Sequence, residues 1–332
     1  MRGRRFFLVL IIGWHCALAI SQDIHLSQFN ALPVMLNPAT TGFISGDARI
    51  ATAVRNQWAT VGQGYNSLLF STEWLPVTNR HHRNGWGFGL LVQRDFAGAL
   101  QYGQTNWLLS TSFFHSFDYR YSHFLSVGIQ MGKGQRGFDP SGAVFGNDRR
   151  LGLTEDFPML NVAYFDFSSG IYWEWHPDKT QTFSAGLSVF HLQEPSLSFF
   201  DKDAVLPRKW VAYGSALLKI GVQNGVRPAL LYRQQQKYRE FLWGADWLWY
   251  LEDSPFATLT LITGLYHRWG DAVIVLLKLQ YREWLFGLGY DVNLSPLSRV
   301  SHGYGALEFT ASYTVGQNKR KFISNEVPCP LF

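Results

Sequence analysis

Hydrophobic and polar residues alternate along most of this chain with a period of two. The clearest stretch runs from Leu307 to Val315, where every odd position is apolar and every even position is Glu, Thr or Ser. The same alternation occurs in 182–189 and 240–249, and in 273–281 with interruptions. A period of two is that of a β-strand whose two faces meet different surroundings. The pattern therefore predicts an all-β protein.

Fourteen strand-like segments follow one another along the chain. They are 47–58, 65–75, 85–94, 102–117, 122–133, 158–175, 181–192, 208–220, 226–236, 238–250, 256–268, 271–282, 284–291 and 303–315. An even number of antiparallel strands can close into a barrel with both chain ends on one side. Keeping 158–175 as one strand places the long connections 134–157, 193–206 and 292–302 together on the other side. We expect an antiparallel barrel of about 14 strands over 47–316.

Alternation alone also fits a soluble β-sandwich, so the choice of a membrane barrel needs further features. The segments have the length of a tilted membrane strand, about 10 residues and its flanks. Tryptophans stand near the segment ends, where an interfacial girdle lies: Trp58, Trp74, Trp86, Trp107, Trp210, Trp269 and Trp284. Asp246, Lys278 and Glu308 share the polar register and are expected to face the lumen, because a lipid-facing Arg or Lys at mid-depth costs about 2–4 kcal/mol. The sequence thus predicts a transmembrane outer-membrane β-barrel.

The first 21 residues have the pattern of a signal peptide. Three arginines precede the apolar stretch 6–20, and small residues stand at Ala17, Ala19 and Ser21. We therefore expect export and an outer-membrane location. Removing those arginines leaves 26 Lys and Arg against 24 Asp and Glu, a net charge of +2 in place of +5, so no nucleic-acid partner is indicated. Cys329 would then be the single cysteine and could form no internal disulfide.

No motif predicts catalysis or a cofactor. Gly132, Gly134 and Gly137 spell GxGxxG, but the helix that a dinucleotide site requires is not indicated after them. His81 and His82 adjoin in a predicted turn, and neighbouring side chains there point apart. No HExxH and no spaced Ser, His and acid set is present. We predict a non-enzymatic protein with no cofactor and no metal, although outer-membrane hydrolases can carry a catalytic set on separate strands.

Residues 22–46 precede the first strand and form a separate region. Pro33 and Pro38 prevent a regular strand, and Gly42 permits a tight bend. The region is therefore expected to be an ordered coil at the barrel mouth or in the lumen. It is either a leader tucked under the barrel or a plug or docking piece. Residues 317–332 form a C-terminal tail.

Several clusters of residues resemble one known family. They are Gln22-Asp23, Gln28-Phe29, Leu36-Asn37-Pro38-Ala39, Thr41-Gly42, Gly46-Asp47, Arg49, Arg55-Asn56-Gln57-Trp58, Asp95, Ala97-Gly98, Tyr164-Phe165-Asp166, Gly186-Leu187-Ser188, His191, Pro195, Asp271-Ala272, Tyr290-Asp291 and Cys329-Pro330-Leu331-Phe332. Together they resemble the PorP/SprF family of type IX secretion system membrane proteins of the Bacteroidetes. The resemblance extends over nearly the whole chain after residue 21.

The resemblance implies an outer-membrane barrel that serves protein export and, in gliding relatives, delivers surface adhesins. It implies periplasmic ring proteins and the C-terminal sorting domains of cargo as partners, beside outer-membrane lipid. The expected partner-binding residues are Gln28, Phe29, Asn37, Pro38, Gly42, Arg55, Gln57, Trp58, Cys329, Pro330 and Phe332. The segment 22–46 and the tail 317–332 are expected to face the periplasm, where the basic run 319–321 either meets an acidic ring surface or is solvated.

Two other functions remain open at this point. The first alternative is a passive porin or solute transporter of the outer membrane, which would use a polar lumen. The second is a surface lipid hydrolase. Conductance of the purified barrel distinguishes the first from a plugged docking barrel, and turnover distinguishes the second.

Overall fold

A computed structural model describes most of the chain. The described residues are 23–57, 64–78, 84–98, 102–118, 122–138, 160–197, 204–253, 258–295, 298–301 and 303–316. The expected signal peptide of residues 1–21 and tail of residues 317–332 lie outside these ranges. Among the described residues, no helix is both long and apolar enough to cross a membrane.

The described residues form fourteen antiparallel strands that close into one barrel, as predicted. The strands are β1 Ala48–Gln57, β2 Tyr65–Thr78, β3 Asn84–Ala97, β4 Tyr102–Ser116, β5 His123–Phe138, β6 Leu160–Asp178, β7 Gln181–Phe190, β8 Lys209–Ile220, β9 Asn224–Gln235, β10 Tyr238–Asp253, β11 Thr258–Arg268, β12 Ala272–Tyr281, β13 Trp284–Asn293 and β14 Tyr304–Val315. β6 continues through Ser169 and Gly170, which confirms that 158–175 is not split. The GxGxxG glycines lie within β5.

The barrel closes where β1 pairs with β14. Ala48 is opposite Val315 at one end of this seam, and Gln57 is opposite Ala306 at the other. Each strand pairs with its neighbours in chain order, so the barrel has no free edge. Odd-numbered strands therefore all begin at one end, which we call the β1 end. They finish at the opposite end, which we call the Asp23 end for the residue found there.

The two faces of the wall follow the alternation. In β14, Leu307 and Phe309 are about half exposed on the outside, whereas Glu308 between them is fully buried. Asp246 and Lys278 are buried on the inner face in the same way, as predicted. The tryptophans predicted near strand ends are exposed on the outside: Trp74, Trp86, Trp107, Trp210, Trp269 and Trp284. Trp58 lies outside the described residues.

The inside of the barrel is occupied by protein. Ile274 and Leu276, which interrupt the alternation of β12, are buried in an apolar core inside the wall. Phe43 lies in that core, its ring centroid 5.1 Å from that of Phe114 and 5.5 Å from that of Tyr172. The interruptions in β12 therefore have a physical cause, because these inward positions pack against chain that fills the lumen.

The chain that fills the lumen is residues 23–46, the lumenal segment. It contains the one-turn helix α1, Pro33–Leu36, and a 3₁₀ turn, Pro38–Thr40. Gly46 meets Val315 at the β1 end. Asp23 instead contacts His191, which follows β7, and Lys209, which begins β8, so it lies at the opposite end. The segment traverses the lumen; it does not lie under the barrel, and only its Gly46 end is on the side of β1's first residue.

Candidate functional site

The lumenal segment rests on a row of small residues across five neighbouring strands. The row is Gly87 on β3, Ser112 on β4, Gly128 on β5, Gly170 on β6 and Ser188 on β7. Each member is the direct cross-strand partner of the next. These residues therefore form a continuous band of small side chains across the inner wall, which we call the small-residue row.

Glycine is required in this row because the backbone of the segment approaches the wall closely. A Cβ atom on Gly128 would lie 2.4 Å from the Pro38 carbonyl oxygen, and one on Gly87 would lie 2.0 Å from that of Thr41. A Cβ atom on Gly170 would lie 2.0 Å from Asn37 Oδ1. All three distances are shorter than real contacts allow, so the glycines provide room for the segment.

Close packing against the inner wall also explains three alternate glycines on β3. The sequence suggests that Gly85, Gly87 and Gly89 share the inner face and let the wall curve. The structure confirms their inner face but shows close neighbours at each position. A Cβ atom on Gly89 would approach the Thr41 side chain, and one on Gly85 would overlap the Phe114 ring. Packing of the lumen, and not only curvature, accounts for these glycines.

The serines of the wall satisfy carbonyl groups of the segment. Ser112 Oγ donates to the Thr41 carbonyl at 2.6 Å, and Ser188 Oγ donates to that of Leu36 at 2.7 Å. Ser126, also on β5, donates to the Ala39 carbonyl at 2.6 Å. Asn37 Nδ2 returns a bond to the Ile171 carbonyl at 2.7 Å. Buried backbone groups outside regular structure need such partners, so the contacts hold the segment in one register.

A buried ion pair on the wall holds the bend of the segment near the β1 end. Arg49 on β1 donates to Glu73 on β2, with 2.7 Å between Nη2 and Oε1. The other oxygen of Glu73 accepts the backbone N–H of Gly42 at 3.1 Å. Gly42 has φ +68°, in the region that favours glycine, and a Cβ atom there would also collide with Gly87.

A second charged cluster holds the segment nearer the Asp23 end. Glu308 on β14 accepts the backbone N–H groups of Ser27 and Gln28 at 2.6 and 2.9 Å. Arg55 on β1 contacts Glu308 and also Asp291, which is 3.2 Å away. Two charged side chains of the wall thereby place two consecutive backbone N–H groups of the segment.

Arg268 completes this cluster from β11. It donates to Asp291 at 3.1 Å and to Ser27 Oγ at 2.7 Å. Ser27 Oγ in turn donates to Asp291 at 2.7 Å and also accepts from Arg55 at 2.8 Å. A hydroxyl of the segment is thus enclosed by two guanidinium groups and a carboxylate, all buried. Charge-assisted hydrogen bonds of this kind are the strongest that the segment makes.

Asp23 is bound by two cations where the segment reaches the Asp23 end. Its Oδ2 is 2.6 Å from both His191 Nε2 and Lys209 Nζ, and His191 Nδ1 is 3.0 Å from Asp166. Burial opposes the charged form of His191, but the carboxylates of Asp23 and Asp166 prevail and raise its pKa to about 9. Burial also opposes ionisation of Asp23, yet His191 and Lys209 hold its pKa well below the ordinary value. Both groups are therefore charged at neutral pH.

A cavity of about 720 Å³ lies beside the first residues of the segment at the Asp23 end. We call it the mouth cavity. Its lining residues are Asp23, Ile24, His25, Arg55, Gln57, Tyr65, Ser67, Asp95, Tyr102, Tyr238, Arg239, Glu240, Arg268, Trp269, Gly270 and Asp271. The wall part of this lining consists of the inward-facing ends of β1–β4 and β10 together with the end of β11 and the β11–β12 turn. Its size is within the range of about 300–1,000 Å³ that is usual for ligand sites.

The residues predicted to bind partners lie in different places. Gln28, Phe29, Asn37, Pro38, Gly42 and Arg55 are all buried by contacts within the chain. A partner would reach these six only by displacing the lumenal segment. Gln57 lines the mouth cavity. Trp58, Cys329, Pro330 and Phe332 lie outside the described residues, so their role stays a prediction.

Sequence reasoning missed several wall residues that hold the segment. Glu73, Asp291 and Arg268 make its key polar contacts, and Lys209 binds its first described residue. A usable signal was present, because charged residues in the inward register of a lipid-facing barrel need partners inside it. No described group of three or more His, Cys, Asp or Glu side chains is arranged to hold a metal ion.

Most of the chain matches the sequence profile of one protein family. The sequence profile described as type IX secretion system membrane protein PorP/SprF matches residues 19–313. The match begins before the lumenal segment and ends within β14. It therefore includes the segment, the small-residue row and both charged clusters as one unit. No curated protein matches this sequence.

Two solved structures with a similar fold are a transporter and a channel. The toluene transporter TbuX of Ralstonia pickettii has a TM-score of 0.51 at 11% sequence identity, over 84% of this chain and 92% of its own. The deltaS2S3 mutant of TodX, a monoaromatic hydrocarbon channel, has a TM-score of 0.50 at 8% identity, over 85% of this chain and 94% of its own. At these identities the likeness shows a shared fold alone.

Proposed function

Because this chain belongs to the PorP/SprF family of type IX secretion system membrane proteins, we propose that it is a non-enzymatic docking component of type IX secretion. It sits in the outer membrane, where it binds cargo with C-terminal sorting domains and periplasmic ring proteins. The observation that supports docking over passage is the filled lumen. Gliding adhesins are one class of such cargo.

The lumenal segment is held at three levels, which supports a closed barrel. Glu73 binds it near the β1 end, the small-residue row binds it in the middle, and Glu308 with Arg55 binds it nearer the Asp23 end. An apolar core that includes Phe43 also packs the segment against the wall. Opening a pore would separate all these contacts, and each buried polar group left without a partner would cost about 1–3 kcal/mol.

The orientation follows from the rule for barrels of this class. With an even strand count, the first and last strand ends face the periplasm. Ala48 and Val315 are then periplasmic, and the tail 317–332 is the part of the chain that we assign to binding the ring proteins. The Asp23 end, with the mouth cavity, then faces outward, where secreted cargo arrives. This arrangement separates a ring-binding side from a cargo-binding side.

Deletion of the gene tests the secretion role. We expect proteins with type IX C-terminal sorting domains to disappear from the cell surface and to return on complementation. Undiminished surface display of every such protein would contradict the proposal. A photocrosslinker attached at Cys329 tests the orientation, because it should capture ring proteins from the periplasmic side. Capture of surface proteins instead would reverse the assignment of the two ends.

A solute transporter is the second candidate, favoured by the fold shared with TbuX and TodX and by the mouth cavity. Planar-bilayer recording of the purified barrel separates the candidates. The docking barrel should conduct little, and toluene should not cross liposomes faster when the barrel is present. Sustained conductance or toluene flux would favour transport.

A further inference from the structure

The carboxylates of the mouth cavity differ in how they are paired. On the β10–β12 side, Glu240 binds Arg233 at 3.0 Å and Asp271 binds Arg268 at 3.1 Å. On the β2–β4 side, Asp95 accepts one hydrogen bond from Ser67 at 2.6 Å and forms no ion pair with any described residue. One acidic group in the lining is therefore held in place and still lacks a cation in contact.

Aromatic rings stand beside this carboxylate. Asp95 is the cross-strand partner of Ser67 on β2 and of Gln104 on β4. Tyr65 and Tyr102 each lie two residues from those partners, hence on the same inward face, and both line the cavity. Arg136 already stacks against Tyr102, with 5.6 Å between its Cζ and the ring centroid. Tyrosine faces attract cations, so the surroundings of Asp95 suit a positively charged group.

The net charge of the cavity lining also favours a positively charged ligand. Four carboxylates line the cavity, against three arginines: Asp23, Asp95, Glu240 and Asp271 against Arg55, Arg239 and Arg268. Burial lowers the pKa of His25 to about 3, so this imidazole adds no charge. Two of the arginines, Arg55 and Arg268, also contact Asp291. The formal balance of the lining is therefore negative by one charge, and two of its three arginines already have a carboxylate partner.

We propose that the mouth cavity binds a lysine or arginine side chain of an extended polypeptide, with Asp95 as its counter-charge. The proposal rests on the docking function above and names the chemistry by which the partner is recognised. Ser67 is a positioning residue, because its hydroxyl donates to one oxygen of Asp95 and so fixes a carboxylate that lines the cavity. The cavity volume of about 720 Å³ exceeds that of one side chain and admits the neighbouring backbone.

Titration of the detergent-purified barrel with trilysine amide, followed by calorimetry, tests this site. The matched probe is the same peptide with all its amines acetylated, which keeps its length and removes its charge. Trilysine should bind at least about tenfold more tightly than the acetylated peptide, because a charge-assisted bond to a held carboxylate is lost on acetylation. Equal binding of the two peptides by the wild-type barrel would overturn the proposal without any mutation.

Substitution identifies the carboxylate. Asp95→Asn should weaken trilysine binding about tenfold, and Ser67→Ala should weaken it less. The matched control is Glu194→Gln, which removes one exposed carboxylate at the same end of the barrel but outside the cavity lining. Glu194→Gln should bind trilysine as the wild type does. Equal losses in the two acid variants would show only a general charge effect and would overturn the assignment to Asp95.

The two proposals fail in different experiments. Absence of charge-dependent trilysine binding overturns the cavity proposal, whatever the secretion phenotype is. Undiminished cargo display in the deletion strain overturns the docking function, even where trilysine binds. Reduced surface display of cargo in the Asp95→Asn strain, with normal display in the Glu194→Gln strain, supports both.

Discussion

The Arg55 guanidinium contacts the Glu308 carboxylate inside the barrel, and both side chains are almost completely buried. The two residues are direct partners in the pairing of β1 with β14, the seam that closes the barrel. Glu308 also accepts two backbone N–H groups of the lumenal segment. Closure of the wall and filling of the lumen are therefore coupled through one ion pair.

Replacement of Arg55 should destabilise the barrel severely. Arg55→Met leaves Glu308 and Asp291 without one of their cations, and breaking a buried pair costs about 3–5 kcal/mol. The control is Arg208→Met, because Arg208 and Glu194 form an exposed pair 3.7 Å apart that should contribute less than about 1 kcal/mol. Unfolding by denaturant in lipid vesicles measures both. A loss for Arg55→Met as small as that for Arg208→Met would contradict the role assigned to the seam pair.

A methyl group in the small-residue row should displace the lumenal segment. In Gly128→Ala the new Cβ would meet the Pro38 carbonyl oxygen at 2.4 Å, and overpacking of this kind costs about 1–3 kcal/mol. Gly214→Ala on β8 is the control, since the nearest atom to its Cβ would be 3.4 Å away, an ordinary contact. Hydrogen exchange of the segment should increase in the first variant and stay unchanged in the second. Equal protection in both variants would show that the row does not hold the segment.

The contacts of Asp23 predict how release of the segment depends on pH. The pKa of His191 is raised to about 9, so its contribution is complete below the ordinary value of about 6.5 and is lost as pH rises through 9. The pKa of Asp23 is lowered, so its contribution is complete above about 3.9 and is lost only in stronger acid. Asp166 and Lys209 are the other charged groups in contact.

Between pH 7 and pH 10, amide protection near Asp23 should therefore fall. Hydrogen exchange expressed as protection factors measures this, because the intrinsic pH dependence of exchange is then removed. In His191→Gln the protection should be lower at pH 7 and nearly constant over the same range. An equal fall in the variant would show that His191 is not the group responsible.

The outer face of the wall should reject charge at mid-depth. Leu109 lies at the centre of β4 and is 62% exposed to the outside. Leu109→Arg should cost about 2–4 kcal/mol in lipid vesicles, as arginine does on the lipid side of barrels at the midplane. Val222→Arg in the β8–β9 turn is the control and should cost about 0–1 kcal/mol. Equal stability of the two variants would contradict the membrane assignment of this face.

The alternation was sufficient to predict the wall. It predicted the fourteen strands, the continuity of β6, and the inward direction of Asp246, Lys278 and Glu308. It also indicated the filled lumen at Ile274 and Leu276, two inward positions where an apolar residue interrupts the alternation. Those two residues are apolar because the lumenal segment, and not water, faces them.

Alternation is a local property, because successive side chains of a strand point in turn toward lipid and toward the interior, whichever strands pair with it. It thereby specifies where the strands lie and to which side each side chain points. The even number of strands then predicts that the barrel closes. The course of residues 23–46 depends instead on residues far apart in the chain, such as Ser27 with Asp291 and Leu36 with Ser188. Such contacts exist only once the wall has closed around the segment. The tertiary structure alone therefore decided that the segment crosses the lumen, which glycines make room for it, and that Asp95 is left facing an open cavity.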